Sequence, residues 1–115
     1  MNSRQLNRLR QRRDTLLAEL HQLPNLMRGT VYERERKCGR ASCTCATGGP
    51  RHAGVQFNVT LGGRTRTRYV RRGERAEVEA LVANYRRLWA LVDEITEINL
   101  ALLNATPAAG TEGRG

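Results

Sequence analysis

The sequence predicts an α+β fold, in which an N-terminal helix and a long C-terminal helix flank a small three-stranded antiparallel sheet. Apolar residues recur at helical spacing near both ends of the 115-residue chain, whereas the middle alternates with a period of two. A glycine-rich loop, inserted between the first two predicted strands, holds all three cysteines. We expect one domain, residues 1–104, whose core is too small to be stable without a metal or a partner chain.

The first helix is predicted over residues 4–22. Ser3 is the expected N-cap, and Pro24 ends the helix because proline disfavours helical geometry in the residue before it. One stripe of this helix is formed by Leu6, Leu9, Leu16, Leu20 and Leu23, with Arg13 in the gap.

The sheet and the cysteine loop are predicted within residues 28–72. Two alternating runs meet at Gly62-Gly63, a dipeptide that favours a two-residue hairpin because both residues tolerate positive φ. In the last strand, alternation places three arginines on one face and two threonines with Tyr69 on the other. The arginines are Arg64, Arg66 and Arg68.

The long helix is predicted over residues 74–104, and residues 105–115 form an expected disordered tail. Its heptad stripe consists of Val78, Leu81, Tyr85, Leu88, Val92, Ile95, Asn99 and Leu102. The first helix is too short to cover this stripe, which favours a coiled-coil-like helical pair or bundle that also engages a second copy of the chain. Asn99 has two interpretations: a buried polar residue that sets register, or a residue near a frayed helix end.

Four soft-ligand residues are spaced C-x4-C-x-C-x6-H in the loop: Cys38, Cys43, Cys45 and His52. Three thiolates and one imidazole are a standard set for structural zinc. With four protein ligands the site is closed and offers no position for a catalytic water. His21 is an alternative fourth ligand, and three thiols packed without a metal are the alternative to a site.

Positive charge is concentrated in the middle of the chain. The net charge is +9, and residues 28–75 carry 12 cations and 3 anions. All but one of the 20 cationic residues are arginine, which pairs with phosphate in a bidentate way, although GC-rich codon usage would also favour arginine. The candidate nucleic-acid contacts are Arg34, Arg36, Lys37, Arg40, Arg51, Arg64, Arg66, Arg68, Arg71 and Arg72.

Three segments, "CGRASCTCATGGPRH", "GGRTRTRYV" and "VANYRRLWALVDEITEIN", resemble a family of small uncharacterised basic bacterial proteins. Members of that family are often found with, or labelled as, transposases and other mobile-element proteins. The resemblance runs from Met27 to Leu103. It implies a mobile-element context and supplies no established activity.

These observations predict a non-enzymatic, zinc-stabilised nucleic-acid-binding protein, with DNA the expected ligand and RNA the alternative. A competing interpretation is an oligomeric coiled-coil adaptor, a homodimer or larger, that binds a transposase or recombinase. No carboxylate cluster suited to a nuclease can be assembled, so we expect no catalytic residues. The odd cysteine count and the absence of a long apolar run predict a reduced cytoplasmic protein, nucleoid-associated if it binds DNA.

Overall fold

The computed structural model of the chain describes residues 1–36, 39–50 and 52–105. It has the predicted α+β architecture, and two cysteines of the loop between the first two strands cluster with His52, the first residue of the second strand. The elements are, in order, α1 (Ser3–His21), β1 (Thr30–Arg36), β2 (His52–Leu61), β3 (Arg64–Val70) and α2 (Arg75–Ala105). Two short 3-10 helices, Thr44–Thr47 and Arg72–Glu74, precede β2 and α2. Ala105 closes α2, and the rest of the predicted tail lies outside the described residues.

The chain divides into two compact units. One unit combines Met1–Pro24 with α2 from Arg86 onward, and the other is Asn25–Tyr85. The assignment of residues 1–104 to one domain stays a prediction. No helix in the described ranges is long and apolar enough to cross a membrane.

In the helical unit, α1 and α2 run antiparallel and share an aliphatic core. Leu16 packs with Leu91 and Ile98, and the side chains of Leu16 and Leu91 are fully buried. Two ion pairs join the helices, Arg12 to Glu94 at 2.9 Å and Arg87 to Glu19 at 2.6 Å. Because residue numbers rise along one helix as their partners' numbers fall along the other, the helices are antiparallel.

The N-cap of α1 is Asn2, so the prediction of Ser3 was wrong by one residue. Asn2 Oδ1 accepts the Gln5 backbone N–H at 2.9 Å, and Gln5 Oε1 accepts the Asn2 N–H at 2.9 Å. This reciprocal capping box needs a Glu or Gln three residues after the cap. If Ser3 were the cap, Leu6 would occupy that position, and the side chain of leucine has no hydrogen-bond acceptor.

The line of α2 that faces α1 also differs from the predicted stripe. Leu91 and Ile98 are buried, whereas Val92 is half-buried and Asn99 is exposed. Leu91 and Ile98 are seven residues apart, as are Val92 and Asn99. Around the helix, these two pairs lie on opposite sides of Ile95. The pair with two large aliphatic side chains is buried, since burying the amide of Asn99 would cost free energy without a hydrogen-bond partner. Asn99 is therefore not in the seam with α1.

In the other unit, the three strands form an antiparallel sheet in the order β1-β2-β3. Gly62 and Gly63 have φ of 57° and 80°, which confirms the predicted two-residue hairpin turn. One face of the sheet packs on the start of α2, where Phe57 and Val70 meet Val78 and Val82. We call this the packed face. It also carries Val31, Val55 and Val59.

Candidate metal centre

The loop that carries the cysteines is shaped by one 3-10 turn. Cys43 is the N-cap residue of Thr44–Thr47, and its carbonyl accepts the Ala46 N–H at 3.0 Å. Gly48 ends the turn with φ of 97°, and the Gly49 N–H donates to the Thr44 carbonyl at 2.7 Å. A side chain at Gly49 would collide with Thr44, so the close return of the backbone requires a glycine here.

This turn brings two cysteines to the first residue of β2. Cys43 Sγ lies 3.1 Å from His52 Nε2. The ligand atoms of Cys43, Cys45 and His52 all lie within 4.8 Å of one another. Cys45 is 1% exposed and His52 is exposed, so the cluster spans from the interior of the loop to the surface. These three residues could hold a metal ion.

The donor set fits zinc. Zn–S and Zn–N distances of about 2.3 and 2.0 Å place neighbouring ligand atoms of a tetrahedron about 3.5–3.8 Å apart. The three side chains can reach that spacing with small adjustments. Thiolate sulfur and imidazole nitrogen are also the donors that zinc prefers in structural sites.

Three of the four predicted ligands are brought together, and the fourth lies outside the described residues. Cys38 follows Arg36 by two positions, and Arg36 is the register partner of His52. His21, the alternative ligand, is the last residue of α1 and is not in the cluster. Cys38 as fourth ligand stays a prediction.

The sequence analysis placed His52 in the loop, but in the structure His52 lies in the sheet. β2 begins at His52, and its first seven residues, His52–Asn58, pair with β1. The side chain of His52 therefore belongs to the face of the sheet that is opposite the packed face. The Cys-Cys-His cluster lies at one end of that face.

We call this second surface the open face. Register and alternation assign it Thr30, Tyr32, Arg34 and Arg36 of β1, His52, Gly54, Gln56, Asn58 and Thr60 of β2, and Thr65, Thr67 and Tyr69 of β3. The three strands place no carboxylate on this face. Glu33 and Glu35 of β1 lie on the packed face, where Glu33 pairs with Arg75 at 2.9 Å.

The candidate nucleic-acid contacts divide between the two faces. Arg34 and Arg36 are on the open face, and the predicted row of Arg64, Arg66 and Arg68 is on the packed face. Arg40 is exposed in the cysteine loop, and Arg71 and Arg72 are exposed between β3 and α2. Lys37 and Arg51 lie outside the described residues.

Arg68 forms an ion pair with Glu74. It donates to both carboxylate oxygens of Glu74 at 2.8 and 3.2 Å, and these hydrogen bonds raise the pKa of Arg68. Arg34 and Arg36 form no ion pair with any described acid. The positive charge of the open face is therefore not neutralised within the described chain.

The sequence analysis did not identify Tyr32, Gln56 and Tyr69 of the open face as candidate functional residues. Gln56 is the register partner of both Tyr32 and Tyr69, and Tyr32 Oη donates to Gln56 Oε1 at 3.0 Å. The signal was present in the hairpin: a two-residue turn pairs Leu61 with Arg64, which puts the arginine row on the same face as Phe57. The Tyr69 row is then the one that faces away from the core.

Residues 4–80 match a family described as a domain of unknown function, DUF6788. The chain belongs to the DUF6788 family. The match covers nearly all of α1, the whole sheet with its metal loop, and the first turns of α2. No curated protein and no solved structure matches this DUF6788 chain significantly.

Proposed function

We propose that this chain is a non-enzymatic, zinc-stabilised protein that binds nucleic acid. The observation that carries the proposal is the segregation of charge on the sheet. Arg34 and Arg36 share the open face with a cysteine-histidine cluster and with no carboxylate, while Glu33 and Glu35 lie on the packed face. A surface of cations without acids favours an anionic partner.

In this proposal zinc has a structural role. Cys43, Cys45 and His52 hold it together with Cys38, so the closed tetrahedron leaves no position for a substrate or water. The ion fixes the loop that follows β1, and that loop adjoins the arginines of the open face. Binding by arginine to phosphate is independent of sequence and falls steeply with salt.

The cellular setting is part of the same proposal. The chain acts in the cytoplasm, on the nucleoid if DNA is its ligand, as an accessory to a mobile element. This setting rests on the resemblance described above to mobile-element proteins.

The zinc part is tested by native mass spectrometry of protein purified without added metal, followed by a denaturing run. We expect one zinc per chain in the native spectrum and none in the denatured one. The Cys38→Ser and Cys45→Ser variants lose the ion, while Ser42→Ala, an exposed neighbour in the loop, retains it. Folded wild-type protein without metal contradicts the assignment.

The binding part is tested by titration with short duplex DNA, single-stranded DNA and RNA at two salt concentrations. We expect binding that persists near physiological salt and weakens as salt rises. Arg34→Ser/Arg36→Ser is expected to weaken binding, and Arg4→Ser/Arg8→Ser is its charge-matched control, since both control residues lie exposed on α1, outside residues 28–75. Absence of binding to all three probes, or binding insensitive to salt, sinks the proposal.

A second candidate function, an oligomeric adaptor, is favoured by one observation on α2. Trp89, Leu100 and Leu103 are exposed, and spacings of 11 and 3 residues bring them onto one side of the helix. The occupant we propose is a second copy of the chain, which then presents a coiled coil to a transposase or recombinase. Sedimentation of wild type and Trp89→Glu/Leu103→Glu tests it: an oligomer that dissociates in the variant supports this role, and a monomeric wild type excludes it.

A further inference from the structure

A cleft of about 570 Å³ lies on the open face beside the metal cluster. Its lining includes Arg34, Arg36, His52, Gly54, Gln56 and Tyr69. The volume is within the range of about 300–1,000 Å³ that is typical of small-ligand sites. We call it the open-face cleft.

The cationic side of the cleft is supplied by β1. Arg34 and Arg36 are two residues apart, so they project from the same face about 7 Å from each other along the strand. Both are exposed, and neither pairs with an acid in the described ranges. This spacing lets the two guanidinium groups contact different phosphate groups of one strand, each in a bidentate way.

The other side of the cleft is aromatic. Tyr69 is 57% exposed, and its ring leans over Gly54, where a Cβ would stand 3.5 Å from Tyr69 Cε1. Gly54 and Tyr69 both line the cleft, and Gly54 has no side chain to shield the ring from it. An exposed aromatic ring that lines a cleft is a stacking platform for a flat group such as a nucleobase.

The base of the cleft carries an amide with a fixed direction. Gln56 is buried, and its Oε1 accepts the hydroxyl hydrogen of Tyr32. An amide held in this way can offer hydrogen bonds to the edge of a base, in addition to stacking on Tyr69.

We propose that the open-face cleft binds one nucleotide of a single strand, with its base on Tyr69 and its flanking phosphates on Arg34 and Arg36. This inference rests on the proposed nucleic-acid binding and names its site and substrate class. A duplex does not fit the same chemistry, because its bases are stacked on each other and their faces cannot reach Tyr69. The arginine row of the packed face is not part of this site.

The test measures fluorescence anisotropy of a labelled oligothymidine and of an abasic strand of equal length, with the zinc-loaded full chain. We expect Tyr69→Leu to bind oligothymidine about 5- to 150-fold more weakly, as for loss of one stacked base, and to bind the abasic strand like wild type. Tyr69→Phe keeps the ring and retains affinity.

Two further variants test the phosphate contacts of β1 and the need for a glycine beside Tyr69. Arg34→Ser/Arg36→Ser lowers the slope of log affinity against log salt by about 1.4, the value for two phosphate contacts on a single strand. Its charge-matched control, Arg4→Ser/Arg8→Ser on α1, leaves the slope unchanged, and Arg64→Ser/Arg66→Ser tests the packed face as the rival site. Gly54→Val places a branched side chain beside the Tyr69 ring and abolishes the preference for oligothymidine over the abasic strand. The strand itself is retained, because valine favours β-structure.

The outcomes separate this site from nucleic-acid binding in general. Zinc content and thermal unfolding of each variant establish that the fold is intact. If the Arg64/Arg66 variant loses affinity while the Tyr69 and Arg34/Arg36 variants bind like wild type, the chain binds nucleic acid and our site is wrong. If duplex binds as tightly as oligothymidine and Tyr69→Leu has no effect, the single-strand assignment is wrong. If wild type binds no probe, both proposals fail.

Discussion

Glu74 is the residue at which β3 and the start of α2 are joined. Its carboxylate accepts two hydrogen bonds from Arg68 and one from the Arg71 backbone N–H at 2.9 Å. The Arg68 side-chain bonds, followed by the Arg71 backbone bond, hold the pKa of Glu74 below its ordinary value of 4.5. The carboxylate thus binds protons less readily in the folded chain than in the unfolded one.

Glu74 therefore stabilises the fold above about pH 4.5, and this contribution is lost as the pH falls through the lower folded pKa. We expect Glu74→Gln to lower the free energy of unfolding at neutral pH and to reduce its decline in acid. Urea unfolding over a series of pH values measures both effects. Glu77→Gln, an exposed acid in the first turn of α2, is the control, and an equal effect there would contradict the role of the Arg68 contact.

At the scale of the element, α1 depends on its capping box. We expect Asn2→Ala to destabilise the helical unit by about 1 kcal/mol, since it leaves the Gln5 N–H without its acceptor. Ser3→Ala is expected to be neutral or slightly stabilising, because Ser3 is the first helical residue and alanine favours helix. Thermal unfolding followed by circular dichroism distinguishes the two, and the reverse order would restore Ser3 as the cap.

The seam of α2 allows a second comparison within one helix. Leu91 is fully buried against α1 and Val92 is half-buried beside it. Leu91→Ala is expected to cost about 2–5 kcal/mol through lost burial and the cavity left behind, and Val92→Ala clearly less. Chemical denaturation of both variants measures the difference. Equal losses would mean that the seam includes Val92.

The elements themselves were largely predictable from the sequence. Alternation from Val55 to Leu61 and the Gly62-Gly63 turn are local signals, and both helices follow from spacing that is also local. The faces were harder. The hairpin register places Arg68 on the side of Phe57 and Tyr69 on the other side, a signal that alternation within β3 alone does not contain. The place of Asn99 depends on which flank of Ile95 meets α1.

The clustering of the cysteines with His52 was predictable for a different reason. The chain has only three cysteines, and all of them fall in one loop. The apolar alternation begins only at Val55, and Ala53 and Gly54 before it do not extend the pattern. The periodicity therefore did not predict that His52 belongs to β2. Strand pairing with Arg34 and Arg36 extends β2 to the histidine.

At the scale of the whole molecule, the two units differ in their sources of stability. The candidate ligands Cys43, Cys45 and His52 all belong to the sheet unit, and the helical unit has its own aliphatic core. We expect removal of the metal to weaken the two units unequally.

Hydrogen exchange followed by mass spectrometry measures this difference. After chelation, amides of β1 and β2 are expected to lose protection, while those of α1 and of α2 beyond Arg86 retain most of theirs. Cys45→Ser protein treated with the same chelator is the control and should show no further change. A uniform loss over the chain would mean that the metal stabilises both units alike.

The position of His52 at the first residue of β2 has one more consequence. β2 is held at one end by the ligand cluster and at the other by the Gly62-Gly63 turn. A slip of one residue between strands would exchange the two sides of the sheet, turning Phe57 to water and Gln56 to the core. A metal ion held by Cys43, Cys45 and His52, as we propose, would oppose that slip and so help to keep the polar side of the sheet turned away from the core.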